Sequence, residues 1–332
     1  MTKFNHLIIS HLKSCYLIEV TELILLPVGA DLNAFIYKIK SVDQKSYFVK
    51  LKLGEEKENN FEILEYLKDS GIDSLILPIK SIADEFISQR EGVTFIIYPF
   101  VLGENGFTRP LTDSQWITLG QTMRKMHETQ LPDRLTSYLP IEEFSSQWEL
   151  EVQSLFQRLD EINIVDEIST DMSKFLKKNQ ARILKMTSRT AEIIANIKHQ
   201  ELKLVFCHAD LHAGNILIDH KGLFYIVDWD APILAPKERD LMFIGAGVGN
   251  VWNIESQKKL FYQEYGDTEI NWPLIAYYRF NRILEDITEY SRELLFKSNG
   301  KNRSALYQEF LGAFLQNGVV DIAFKTDELI SK

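Results

Sequence analysis

The chain has 332 residues, 45% of them hydrophobic, enough for one large domain or two ordinary ones with a sizeable core. Its 47 acidic against 37 basic residues give a formal charge of −10, which argues against a nucleic acid held through its phosphates and suits a cationic small molecule. Only Cys15 and Cys207 occur, far apart and outside any CxxC spacing; this excludes a disulfide framework or a cysteine zinc site and fits a reducing cytoplasm.

At the N-terminus, MTKFNHLIISHLKS has an apolar trio broken by His6, Ser10, His11 and Lys13, so the continuous apolar core of a secretion signal is lacking. No later run approaches the roughly 18 apolar residues that span a bilayer. The expectation is a cytoplasmic protein with no membrane partner. Residues 23 to 53 alternate as paired strands: LILLPVG, then AFIYKIK, a turn at Ser41 to Lys45, and SYFVKLKL. From Glu55 to Lys68 the positions Phe61, Ile63, Leu64 and Leu67 recur at helical spacing, and Asp69-Ser70-Gly71 ends the run. Strands are expected again near Leu75 to Ile82 and Val93 to Phe100. After Gly103 helical patterns dominate, at Asp113 to Thr129, Ile141 to Leu159, Asp171 to Lys198, Asn253 to Tyr265, Asn271 to Phe296 and Arg303 to Ile322. Early strands and late helices predict an α+β protein in two lobes. The N-terminal lobe spans residues 1–102, with an antiparallel sheet and a hinge near 98–103; the C-terminal lobe spans residues 103–332 and is mainly helical.

Within the helical part, VFC leads into HADLHAGNIL, where His208, Asp210 and Asn215 stand as His-x-Asp-x-x-x-x-Asn, the spacing of a kinase catalytic loop. The strand NILID, a turn at His220-Lys221-Gly222 and the strand LFYIV then form a hairpin ending at Asp228, so Asn215 and Asp228 are expected as neighbours. An amide and a carboxylate oxygen side by side suit Mg²⁺, a hard cation that takes few protein ligands. Asp210 would accept a hydroxyl proton and orient that oxygen toward a γ-phosphate. A zinc site at His208 and His212 is disfavoured, because Gly214 and a strand follow where a metalloprotease helix would continue. His208 is expected to brace the loop, and His212 either lines the site or packs.

A Mg²⁺ site in the second lobe requires ATP in the first. The turn VGADLNAFIYKI, with Gly29, Ala30, Asp31 and Asn33, is the candidate cover for the phosphates, and Lys50 in YFVKLK is the candidate phosphate lysine. Lys52 shares its strand face and is the alternative. A glutamate from the following helix should pair with that lysine, and Glu56, Glu58 and Glu62 all remain open. In FIIYPFVLG, the Pro99 carbonyl can accept from adenine and the Val101 N–H can donate to it.

Taken together, VGADLNAFIYKI, YFVKLK, YPFVLG, LGQTMRKMHETQL, HADLHAGNILID, IVDWD and PKERDL resemble the aminoglycoside phosphotransferase family, small-molecule kinases with a protein-kinase-like fold. The resemblance spans nearly the whole chain. It implies that Asp210 is catalytic, that Asn215 and Asp228 hold magnesium, that Lys50 binds phosphates, that Pro99 and Val101 form the hinge, and that Asp240 anchors the catalytic loop. It further implies ATP-dependent phosphorylation of a hydroxyl on an aminocyclitol or aminoglycoside antibiotic, conferring resistance. A kinase for choline, homoserine or methylthioribose is the alternative. Only eleven residues separate Asp228 from Asp240, too few for a long activation loop, so a small acceptor is favoured over a protein. For a basic acceptor Asp230 is the obvious additional carboxylate, with an ordinary turn role equally open. Trp252, Tyr278 and Glu285 are further candidates for the pocket border.

Overall fold

The structure, a computed structural model, describes residues 4–26, 34–53, 59–161, 166–297 and 302–330. Gly29, Ala30, Asp31, Asn33, Glu56 and Glu58 therefore lie outside the described residues. The early elements are α1 (Asn5–Tyr16), β1 (Val20–Leu26), β2 (Ala34–Ser41), β3 (Ser46–Leu53), α2 (Asn59–Asp69), β4 (Ile87–Arg90), β5 (Val93–Pro99) and β6 (Gly103–Asn105). Next come α3 (Asp113–Glu128), α4 (Asp133–Thr136), α5 (Gln147–Arg158), α6 (Glu167–Ile197), β7 (Val205–Cys207), β8 (Ile216–Asp219), β9 (Phe224–Ile226) and β10 (Ile233–Ala235). The chain finishes with α7 (Glu238–Leu241), α8 (Glu255–Tyr265), α9 (Trp272–Ser291), α10 (Arg303–Gly312) and α11 (Val319–Ile330).

Two compact units result. One comprises residues 1–105, 129–138 and 216–230, and the other comprises residues 106–128, 139–215 and 231–332. The first unit thus includes residues 103–105, 129–138 and 216–230, which a cut at 102/103 leaves in the second.

In the first unit a five-stranded antiparallel sheet runs in the order β1-β2-β3-β5-β4. Alternation decides its faces: Tyr37 and Ile39 of β2, Val49 and Leu51 of β3, and Phe95 and Ile97 of β5 form one core with Ile8 and Leu12 of α1. Lys50 and Lys52 therefore stand on the opposite face. The meander matches its expected form, but three features differ. Residues 5–16 are a helix, because Ile8 and Leu12 fall one turn apart on the buried side. Residues 75–82 make no ladder; a Leu75–Ile226 bridge and isolated hydrogen bonds, among them Ile79 N–H to the Ile97 carbonyl at 2.7 Å and Ile82 N–H to the Cys15 carbonyl at 2.8 Å, tie them down. The edge strand is instead β4, whose polar ISQR hid it from the apolar pattern.

The second unit is helical, with β7 and β10 paired antiparallel. α6 starts earlier than its periodicity suggests because the Asp166 carboxylate caps it, accepting from Ser169 N–H at 2.7 Å. α9 opens on an Asn271 cap that accepts from Leu274 N–H at 3.2 Å, and it continues as a π turn through Arg292–Phe296. The single helix expected over 303–322 is two, because Asn317 adopts a left-handed φ of 59° and Gly318 lies 2.9 Å from two carbonyl oxygens at the ideal Cβ position.

α3 packs on α8 with Gly120 at the crossing, where a Cβ would run into the carbonyl oxygen of Phe261. Both backbones are helical there and cannot yield locally. Gly120→Ala is expected to cost about 1–3 kcal/mol despite its better helix propensity, measured as a lowered denaturant midpoint with unchanged slope. A stabilised variant would mean that the crossing relaxes freely.

Candidate active site

In the first unit, β3 aims Lys50 and Lys52 at one carboxylate. Lys50 Nζ donates to both Asp230 oxygens, at 2.9 and 2.7 Å, and Lys52 Nζ lies 3.1 Å from Asp230 Oδ2. The lysine side chains are only 13% and 14% exposed, so their charges need this partner. Burial disfavours the Asp230 anion, but Lys50 and then Lys52 outweigh it and hold the carboxyl below the usual range. The glutamate sought for the phosphate lysine is not Glu62, which pairs with Arg134 at 3.1 Å. Asp230, for which an acceptor role and an ordinary turn role are equally open from sequence, serves both lysines.

β8 and β9 pair Ile216 with Ile226, Leu217 with Tyr225 and Ile218 with Phe224. Their turn is fixed by Asp219 Oδ1, which accepts from Lys221 N–H at 2.8 Å and Leu223 N–H at 2.9 Å, and by Gly222 at φ 85°. Asn215 immediately precedes one arm, and Asp228 lies two residues past the end of the other with φ 66°. A left-handed aspartate is a strained conformation of the kind that gathers at functional sites. Pro99 is the exposed last residue of β5, and Val101 follows in irregular chain.

The second unit carries the catalytic-loop candidates. β7 delivers His208 and Ala209 to Asp240, which is fully buried. Its oxygens accept from His208 N–H at 2.9 Å, Ala209 N–H at 2.7 Å and His127 Nε2 at 3.1 Å. Burial alone would raise the Asp240 pKa, yet His127 and the loop donors keep it below the usual range. His127 Nδ1 in turn accepts from the Tyr265 hydroxyl at 2.8 Å; burial pushes Tyr265 far up, so it stays a donor. His127, Cys207 and Asp240 have ligand atoms within 4.8 Å of one another. They do not suit a metal, since the nitrogen and oxygen atoms are already bonded and burial pushes the Cys207 thiol well up.

Within the loop, His208 is buried and its Nδ1 accepts from Asp210 N–H at 3.2 Å, while His212 Nδ1 accepts from Gly214 N–H at 3.0 Å. His212 therefore turns Nε2 toward Asp210 Oδ2, 3.5 Å away, and stacks its ring on Phe107. Asn215 Nδ2 donates to the Asp210 carbonyl at 2.8 Å and to Oδ2 at 3.3 Å. Arg282 Nη1 donates to Asp210 Oδ1 at 2.7 Å. Burial would raise the Asp210 pKa, but the His212 contact and the Arg282 charge hold it well below the carboxylate range.

Arg282 and Asp286 border a cavity of about 330 Å³ in this unit, together with Arg279, Ile283 and Tyr290 of α9 and Phe107. These helix positions recur every three or four residues and form one face. Trp252, Tyr278 and Glu285 do not line the cavity. Trp252 packs on Trp116 and Tyr278 on Tyr277, and both are buried; positions 278 and 285, two turns apart, share a different stripe. No local sequence pattern singled out His127, Arg282 or Asp286. Arg282 and Asp286 merely share the mixed charged and aromatic helix YYRFNRILEDITEY.

Residues 25–244 match the model of a phosphotransferase enzyme family. Among solved structures, spectinomycin phosphotransferase APH(9)-Ia in complex with ADP and spectinomycin is 39% identical, with 97% of this chain and 98% of that chain covered at a TM-score of 0.91. The AMP-bound complex of the same enzyme gives 37% identity, the same coverage and a TM-score of 0.88. An aminoglycoside phosphotransferase from Alicyclobacillus acidocaldarius subsp. acidocaldarius shares the fold at 11% identity and a TM-score of 0.66, over 94% of this chain and 93% of that one. A comparison with curated proteins returns no match. With its α+β, kinase-like fold and this extent of likeness, the chain belongs to the phosphotransferase enzyme family and is an enzyme of the kinase class that acts on alcohol groups.

Proposed function

We propose that this enzyme transfers the γ-phosphoryl group of ATP to a hydroxyl of a small cationic aminocyclitol antibiotic, spectinomycin being the expected acceptor, and so confers resistance to it. The observation that carries this reading is the near-complete likeness, at 39% identity, to an enzyme in complex with ADP and spectinomycin. The grip of Asp240 on the loop that presents Asp210 supports it.

In this reading Asp210 is the catalytic residue. The acceptor oxygen attacks the γ-phosphorus, the bond to the β–γ bridging oxygen breaks, and the hydroxyl proton passes to Asp210. A weakly basic carboxylate suffices, because a loose transition state needs deprotonation only late. Asn215 and Asp228 would hold Mg²⁺. Their amide and carboxylate oxygens are hard donors of the type the ion takes, and the Nδ2 bonds of Asn215 to Asp210 turn its oxygen the other way. The ion would neutralise charge on the phosphates. Lys50, with Lys52 beside it, is the phosphate-binding cation, displaced from Asp230 by the stronger polyanion. The Pro99 carbonyl and Val101 N–H receive adenine, and Gly29, Ala30, Asp31 and Asn33 cover the phosphates. His208 and Asp240 position the loop. No helix among the described residues is long and apolar enough to cross a membrane.

An acceptor panel with an ADP-coupled assay tests the reading. ADP release should rise with spectinomycin and stay at background with choline and homoserine. Turnover confined to choline, homoserine or methylthioribose would replace the antibiotic by a metabolite.

A further inference from the structure

α9 presents Arg282 to the cavity with its guanidinium divided between two carboxylates: Nη1 donates to Asp210 Oδ1 at 2.7 Å, and Nε donates to Asp286 Oδ1 at 3.1 Å, one helical turn on. The three side chains are 30%, 37% and 39% exposed, so water and solutes reach the cluster. Asp210 Oδ2 is already engaged by Asn215 and faces His212. The oxygen left for an incoming hydroxyl is therefore Oδ1, the one that Arg282 holds.

One cation between two carboxylates leaves a negative charge in excess, since Arg279 and Glu309, which also line the cavity, offset each other. A ligand that carries an ammonium can cover that charge by pairing with Asp286, and the guanidinium, repelled by the second cation and without the anchor that aims it, can then swing off Asp210. Water offers no such compensation. It meets an Asp210 whose accessible oxygen is already occupied by a charged donor, a stronger hydrogen bond than water itself can make.

We propose that Arg282 and Asp286 form a specificity-determining pair. Arg282 restrains Asp210 until an acceptor bearing an ammonium group takes Asp286, so that a cationic alcohol is phosphorylated and water is not. The inference rests on the phosphotransfer reading above and adds to it how the site discriminates against hydrolysis of ATP to ADP and phosphate.

The test uses the full chain with Mg-ATP and compares the parent with Arg282→Gln, Arg282→Lys and Asp286→Asn. Without acceptor, Arg282→Gln should release phosphate about tenfold faster than the parent, because Asp210 is free to orient water, and Arg282→Lys should stay near the parent. Asp286→Asn should raise KM for spectinomycin about tenfold, since it removes the charge that receives the ammonium, and should raise acceptor-free phosphate release severalfold, since it weakens the anchor that holds Arg282 at Asp210. Phosphate release by Arg282→Gln at or below the parent rate, with unchanged ATP affinity, would overturn the proposal. So would an unchanged KM in Asp286→Asn. If the parent shows no turnover on spectinomycin or any other acceptor, the proposed acceptor chemistry fails. Faster acceptor-free release by Arg282→Gln would still establish the restraint on water.

Discussion

Asp210→Asn is expected to lower kcat on the preferred acceptor by roughly two to four orders of magnitude, the range ascribed to a positioned general base, with ATP affinity almost unchanged. The substitution is isosteric. Its amide oxygen can still accept from Arg282 or Asn215, so the loop should keep its shape, while both the charge and the proton-accepting oxygen are lost. The candidate phosphate lysines, Lys50 and Lys52, sit in the other unit on a different carboxylate, which is why nucleotide binding should survive. Steady-state ADP release and calorimetric titration with ATP separate the two effects. Turnover within a few-fold of the parent would move the chemistry away from Asp210. The pH dependence carries a second signature. Burial raises the Asp210 pKa, but His212 and Arg282 more than cancel it, so the carboxylate stays ionised throughout roughly pH 5 to 9. The acid limb of kcat/KM, which reports the free enzyme, should therefore not fall at an ordinary aspartate value. Any stability that Asp210 contributes is complete above the unfolded value near 3.9 and is lost only as pH falls through the lower folded one.

What could be read from sequence follows from the range of the interactions involved. His208, Asp210, Asn215 and Asp228 lie within 21 residues, and two short strands with a turn fix their order, so spacing and alternation sufficed to single them out. The β1–β2–β3 meander was legible for the same reason. α1 was not, because His6, Ser10 and His11 break the apolar pattern. Yet His11 is buried, with Nε2 bonded to Ser88 at 2.7 Å and its ring centroid 4.1 Å from that of Phe95. The charge partners were out of reach. Asp230 is 180 residues from Lys50, and Arg282 is 72 from Asp210, separations over which no periodicity carries information. Of the three glutamates open as the lysine's partner, Glu62 serves Arg134, and Glu56 and Glu58 lie outside the described residues. Asp240 stood out only by resemblance, since nothing in PKERDL marks a carboxylate that will be fully buried.

That buried carboxylate should also be the costliest single residue to remove. Asp240→Ala strands three donors at once: His208 N–H, Ala209 N–H and His127 Nε2. The pocket is closed, so water cannot replace the lost oxygens without a new cavity, and unsatisfied buried donors cost about 1–3 kcal/mol each, less where the loop relaxes. A net loss of about 3–5 kcal/mol is expected, read as a lower urea midpoint by tryptophan fluorescence. Asp240→Asn should fall between, because one amide oxygen accepts while its NH₂ is turned on a donor. The loop consequence is separable from the stability one. Ala209 has φ 72°, a conformation an alanine holds only under constraint, and the two backbone bonds to Asp240 flank it. Once they are gone the backbone can relax, and Asp210 moves with it. In folded Asp240→Asn, kcat should drop more than tenfold, the scale at which misplacing a catalytic group is felt, with ATP affinity retained. The sign of the pH effect follows from the lowered pKa. The stabilisation by Asp240 is complete above about pH 3.9 and vanishes as pH falls through its folded value, so parent and Asp240→Ala should converge in acid. A gap that widens in acid would mean that Asp240 is held protonated, donating to a neighbour instead of accepting from three.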